Sequence, residues 1–131
     1  MKLLLLSIAL LIGTGLFAQG VTSTDTITAP TSDKNYSKLL YSDSLSSSFV
    51  IVIPKEVKLH YHANHTEQVV VISGEADMVL GELNIHIKAG DVIFIPKGTR
   101  HSVKVTSAEP LKIVSIQAPI FDGSDRIIIE K

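Results

Sequence analysis

The stretch from Phe49 to Gly74 reads FVIVIPKEVKLHYHANHTEQVVVISG and holds three short apolar runs. The first, Phe49 to Ile53, stops at Pro54, a residue that cannot continue a central strand. Val57 to His62 follows, and after the connection Ala63 to Thr66 a third run, Glu67 to Ser73, stops at Gly74. Short β-branched runs bounded by Pro and Gly, with no 3.6-residue stripe, predict strands rather than helices. Alternate side chains of a strand share a face. His60 and His62 therefore point the same way, Glu67, Val69, Val71 and Ser73 share one face of the next strand, and Val70 and Ile72 lie on the other.

The pattern continues to the end of the chain. Ala76 to Leu80 and Leu83 to Lys88 flank Gly81-Glu82, a hairpin turn, and Val92 to Ile95 stops at Pro96-Lys97-Gly98. His101 to Thr106 stops near Pro110, Leu111 to Ala118 stops at Pro119, and Arg126 to Glu130 closes the chain. Many short strands with frequent turns make this an all-β sandwich or barrel. Before Phe49 the chain differs. Met1-Lys2 and the apolar run from Leu3 to Ile12, followed by Gly13, Gly15 and Ala18, read as a signal peptide over residues 1–18. The run is shorter than the about 20 residues that span a bilayer. An uncleaved anchor is the alternative, since Leu16 is large for its place before the cut. Residues 19–34, rich in Thr, Ser and Asp, form a polar lead-in or tether, and Ser42 to Ser48 is a loop. Residues 35–131 form one domain. The expected protein is exported, periplasmic or extracellular, with no stable membrane insertion after cleavage.

Composition excludes several functions. There is no cysteine, hence no disulfide and no thiolate chemistry, and the formal net charge is −1 with no basic run. Neither nucleic acid nor an anionic membrane surface finds an electrostatic partner here. No Gly-x-Ser-x-Gly and no phosphate-binding glycine loop is present.

His60, His62, Glu67 and, much later, His101 stand out as a ligand set. His101 shares a face with Val103 and Val105, so it lies on an apolar, inward side where an unsatisfied imidazole is costly. A metal shared by the four residues would satisfy it. The Ala63–Thr66 connection is expected to set Glu67 roughly opposite His62 in an antiparallel hairpin. Three imidazoles and a carboxylate suit a divalent transition metal, whether Fe, Mn, Zn, Ni or Cu. Surface or hydrogen-bonded core histidines are the plain alternative.

The frame His60-x-His62-x4-Glu67-x6-Gly74 resembles the first motif of the cupin superfamily, and Gly90-x5-Pro96-x-Gly98-x2-His101 resembles its second. The likeness covers about residues 50–120 and is closest to small, single-domain type-2 members. It implies a double-stranded β-helix, or jelly-roll, barrel with one metal held by His60, His62, Glu67 and His101. Two positions depart from the family pattern, Pro54 in place of a glycine and Val105 in place of an asparagine, and neither is a ligand.

Other residues are read from their position. His65 is taken as a solvated loop residue rather than a rim acid or base, and His86 as outward-facing. Lys58, with the parity of His60, either snorkels to solvent or reaches an anionic substrate. Ser115 and Gln117 share a face that lines the pocket or meets water, and Asp91 is a turn residue. Val70 and Ile72 need cover, from the second sheet or from a second subunit in a homodimer. Three functions remain open: a metal-dependent enzyme on a small molecule, dioxygenase-like or isomerase-like; a non-catalytic small-molecule or sugar binding module with the metal as anchor; and a purely structural metal site.

Overall fold

Gly20 to Glu130 are described by a computed structural model, and the expected signal peptide, 1–18, lies outside the described residues. Ten strands follow one another: β1 (Tyr36–Ser42), β2 (Ser47–Ile53), β3 (Glu56–Tyr61), β4 (Thr66–Ser73), β5 (Glu75–Leu80), β6 (Leu83–Lys88), β7 (Val92–Ile95), β8 (His101–Val105), β9 (Leu111–Ala118) and β10 (Ile127–Ile128). They build two five-stranded antiparallel sheets, β1-β2-β9-β4-β7 and β10-β3-β8-β5-β6. Packed face to face, these are the two walls of an all-β jelly-roll barrel.

The inward faces follow from alternation. Val69 and Val71 of β4, Leu111 and Ile113 of β9, and Ile93 and Ile95 of β7 meet Ala76 and Met78 of β5 and Ile87 of β6 in one core. Burying each such Ile, Val or Leu contributes about 1.5–3 kcal/mol. The hairpin at Gly81-Glu82 is present, with Leu80 paired to Leu83. A second, smaller core covers the outer face of the first sheet, where Ile27 packs on Val50 and Val52. Ile27, with Ala29 packed beside it, seats the polar lead-in, helped by Lys112 Nζ donating to the Thr24 carbonyl at 3.0 Å.

Two expectations change. β3 and β4 belong to different sheets, so Ala63–Thr66 is no hairpin loop but a crossing from one wall to the other. His62 and Glu67 meet across the barrel instead of along a ladder. A register shift between Val57 and His60 also breaks the two-residue period. Val57 and His60 both face the cavity, and Lys58 is exposed. A strand that the composition hides, β1, adds an edge to the first sheet through pairing with β2; its mostly exposed, mixed residues carry no clean alternation.

Gly74 ends β4 with φ +82°, and a Cβ there would lie 2.8 Å from the Pro110 carbonyl oxygen and 2.9 Å from Leu111 Cα. Backbone leaves no room. Gly98 also has positive φ, +78°, but nothing stands within 4 Å of its would-be Cβ. Gly98→Ala is expected to cost about 1–2 kcal/mol from the left-handed conformation alone. Gly74→Ala should cost clearly more than Gly98→Ala in urea unfolding, and equal costs would contradict the close approach.

Candidate metal centre

The site forms where the two walls meet. His60 is near the end of β3 and pairs directly with His101 at the start of β8, both on one sheet. Glu67 lies on β4 of the other sheet, flanked by Gln117 of β9 and Ile95 of β7. His62 sits in the crossing segment between the sheets. The donor nitrogens of His60, His62 and His101 all lie within 4.8 Å of one another. Glu67 Oε2 stands 3.3 Å from both His62 Nε2 and His101 Nε2. All four residues are buried, at 3–6% exposure.

Backbone carbonyls orient each imidazole. His60 Nδ1 donates to the Lys58 carbonyl at 2.8 Å and His101 Nδ1 to the Thr99 carbonyl at 3.0 Å. His62 Nδ1 donates to the carbonyl of Asp125. With Nδ1 donating to a carbonyl, Nε2 is the nitrogen left to face the cluster: protonated it donates to Glu67, and deprotonated it offers the lone pair with which imidazole binds a metal. The turn that aims His101 is tied to the site as well, since Gly98 N–H donates to the His62 carbonyl at 2.6 Å. Ligands about 2.1 Å from a shared ion at right angles are about 3 Å apart, close to the 3.3 Å between Glu67 and its two histidines. The three histidines fit a divalent ion, and Glu67 stands beside two of them without joining the close group that all three form.

Electrostatics agree with that arrangement. Burial opposes charge on Glu67, but hydrogen bonds from His101, His62 and Ser115 hold its carboxyl well below the usual carboxylate range. Burial and the neighbouring His101 push His60 down to about 4. Burial acts against a charged His62 too, yet its bonds to Glu67 and to the Asp125 carbonyl raise it above its ordinary value. An ionised carboxylate thus faces three imidazoles, ready to balance either a proton or a cation.

Five residues beyond the four shape the site. Ser115 Oγ donates to Glu67 Oε1 at 2.5 Å, so Ser115 and Gln117 face inward. Asp125, which carries no sequence signal of its own, fastens the segment after β9 over the site. Its carboxylate accepts from the backbone N–H groups of Ala63 and Asn64 at 2.9 and 2.8 Å and from His65 Nδ1 at 2.5 Å. Burial works against that carboxylate, but His65 and the two backbone donors bring it down to about 2. His65 is consequently buried rather than solvated, its Nε2 bonded to the Ile120 carbonyl at 2.9 Å. Phe121 meets the rings of His62 and His65 edge-on. His86 points outward, against Asp77 and Glu75. Asp91 is a turn residue whose carboxylate accepts from Lys88 N–H.

The sequence profile of the family described as "Cupin domain" matches residues 48–117. The chain belongs to the cupin family. An uncharacterized protein of Aquifex aeolicus is 34% identical over 84 residues, covering 64% of this cupin and 69% of the relative. Mannose-1-phosphate guanylyltransferase 2 of Escherichia coli O157:H7 is 31% identical over 83 residues, but the match takes in only 17% of that enzyme. Among solved structures, an uncharacterized conserved protein with a double-stranded β-helix domain from Klebsiella pneumoniae superposes with a TM-score of 0.74 at 26% identity. That likeness covers 87% of this cupin and 100% of the Klebsiella chain.

The pKa of His60 makes a pH test. With metal chelated, the unfolded chain protonates His60 near 6.5, whereas the folded chain resists until about 4. The unfolded state then holds more protons, so this residue's contribution to stability falls as pH drops through that window. His60→Gln removes the effect. In urea unfolding, the variant should gain on the parent chain steadily from pH 6.5 to 4, and a difference flat in pH would refute the buried neutral imidazole.

Proposed function

We propose that this cupin is an exported protein that binds a small molecule at a mononuclear metal site of three histidines and one glutamate. The observation that carries this reading is the cluster of His60, His62 and His101, each held through Nδ1 by a backbone carbonyl, with ligand nitrogens within 4.8 Å of one another and Glu67 at 3.3 Å from His62 and His101. When bound, a divalent ion would supply Lewis acidity to an oxygen of the ligand, in a dioxygenase-like or isomerase-like reaction. Its identity, whether Fe, Mn, Zn, Ni or Cu, does not follow from the donor set. The chain's own residues do the rest. Ser115 fixes the Glu67 carboxylate, and the apolar walls, including Val69, Val103 and Ile113, exclude water and strengthen each polar contact.

One observation favours the alternative of a non-catalytic binding module. Glu67 is the one carboxylate among the described residues lining the cavity, and it is already engaged by three donors. No second carboxylate among the described lining residues stands ready for proton transfer. The guanylyltransferase relative, a sugar-nucleotide enzyme by name, leaves a sugar ligand open for such a module.

Metal analysis of the mature chain tests the site. About one ion per chain is expected, lost in both His62→Ala and His101→Ala, while Ser115→Ala retains the ion with affinity reduced about 10–100-fold. Unchanged stoichiometry in the two histidine variants would end the proposal. Turnover of a candidate substrate that stops on chelation would select the enzyme over the binding module.

A homodimer is proposed from the outer face of the first sheet. Val92 and Phe94 of β7 are 67% and 55% exposed, in register with Val70 and Gln68 of β4 and, across β4, with Val114 and Ile116 of β9. The row Val92, Val70 and Val114 is apolar throughout and Gln68 alone interrupts the row of Phe94 and Ile116; apolar surface of this kind marks an association surface. Light scattering should give twice the chain mass, and Phe94→Lys should return it to the monomer.

A further inference from the structure

Phe49 and Phe121 both line the cavity that holds the histidines, and both are only partly buried. Their rings stand at 89° to each other with centres 6.2 Å apart, a right-angled aromatic corner. The corner lies beside the metal centre. The Phe121 ring centre is 5.3 Å from that of His62. Phe49 pairs across the β2–β9 ladder with Ser115, the residue that grips Glu67 at 2.5 Å. A single ring with a short substituent is long enough to touch the corner and the histidines together.

One strand fixes both rings. Ser47 and Phe49 are two residues apart on β2 and share a face. Ser47 is fully buried, and its Oγ accepts from the Phe121 N–H at 2.9 Å. The carbonyl just before, that of Ile120, accepts from His65 Nε2 at 2.9 Å. Phe121 is therefore pinned to the strand that carries its partner ring. The corner is built in advance, so a ligand that uses it spends little on ordering side chains.

The walls select the kind of ligand. Aromatic rings prefer offset stacking or edge-on contact, and both are favourable beyond the area they bury. Because the two phenyl rings are perpendicular, a flat ring stacked on one meets the other edge-on. A saturated ring of the same size gains burial alone. Nearby, Ile51, Ile53, Val69 and Ile113 offer no hydrogen-bonding side chain, so a polyhydroxylated ligand would leave hydroxyls unpaired. The cavity measures about 320 Å³, at the small end of ligand pockets, which suits one ring with a short side group.

We propose that Phe49 and Phe121 are the specificity residues of this cavity, and that they select a small aromatic ligand whose oxygen-bearing end lies at the histidine cluster. The assignment rests on the reading of the cavity as a small-molecule site and narrows it away from sugars.

Hydroxamates suit the test, because this head group grips a divalent ion through its two oxygens. Calorimetric titration of the metal-loaded mature chain compares benzohydroxamate with cyclohexanecarbohydroxamate, a saturated ring on the same head, and with gluconohydroxamate, a polyol on that head. Benzohydroxamate is expected to bind about tenfold more tightly than the cyclohexane compound, and the polyol most weakly. Phe121→Leu and Phe49→Leu should each bring the aromatic-to-saturated ratio toward one, with the cyclohexane compound weakened less. Equal binding of the two ring compounds, a ratio that survives both variants, or tightest binding of the polyol overturns the proposal. A chain that takes up metal and binds all three alike keeps the small-molecule site and loses only the aromatic assignment. A chain that takes up no metal, or binds no hydroxamate, overturns both.

Discussion

A carboxylate closed off from water must be compensated, and Glu67 sets that requirement for the whole barrel. Desolvating an isolated charge costs several kcal/mol even after relaxation, which an isolated β-barrel of this size could not absorb. The compensation comes from His62, His101 and Ser115 together. Each of these has to be held in turn, and the holding groups are backbone carbonyls and strand register rather than further side chains. Much of the chain between Lys58 and Asp125 thus has its position dictated by one ionised side chain.

That dependence explains why the site lies at the seam of the sheets. One wall contributes His60 and His101, the other Glu67, Ser115 and Gln117, and the crossing segment contributes His62. Neither sheet alone could assemble the set. The segment after β9 then adds Asp125, whose main-chain carbonyl orients His62 while its carboxylate ties down the crossing segment. A single residue from the end of the chain therefore links the closing strap to the aim of His62.

The sequence made the ladder faces legible wherever alternation was clean, as along β4, β8 and β9, and the four candidate ligands with them. Register shifts and long-range partners were beyond it. Nothing in Val57-Lys58-Leu59-His60 announces the irregularity that turns Val57 and His60 to the same side. The crossing at Ala63–Thr66 is the length of a hairpin loop, so its change of wall could not be read locally. Asp125 and His65 lie 60 residues apart, and pairing them requires the fold to be known. Ile27 shows the reverse error: a composition rich in Thr and Ser hid the buried side chain that, with Ala29, seats the lead-in.

Gly74 lies at the far end of β4 from Glu67, roughly 23 Å away at about 3.3 Å per residue, and its backbone touches that of Pro110 and Leu111. Two turns that are distant in sequence are therefore locked to a common length. An added residue in either would push the other aside and pry open the closed end of the barrel. At the opposite end only Gly123 itself has open space around it, while Phe121 and Asp125 on either side are held against His62 and His65. Among descendants of this chain, the lengths of the turns at Gly74 and Pro110 should therefore be inherited together, a change in one surviving only beside a matching change in the other.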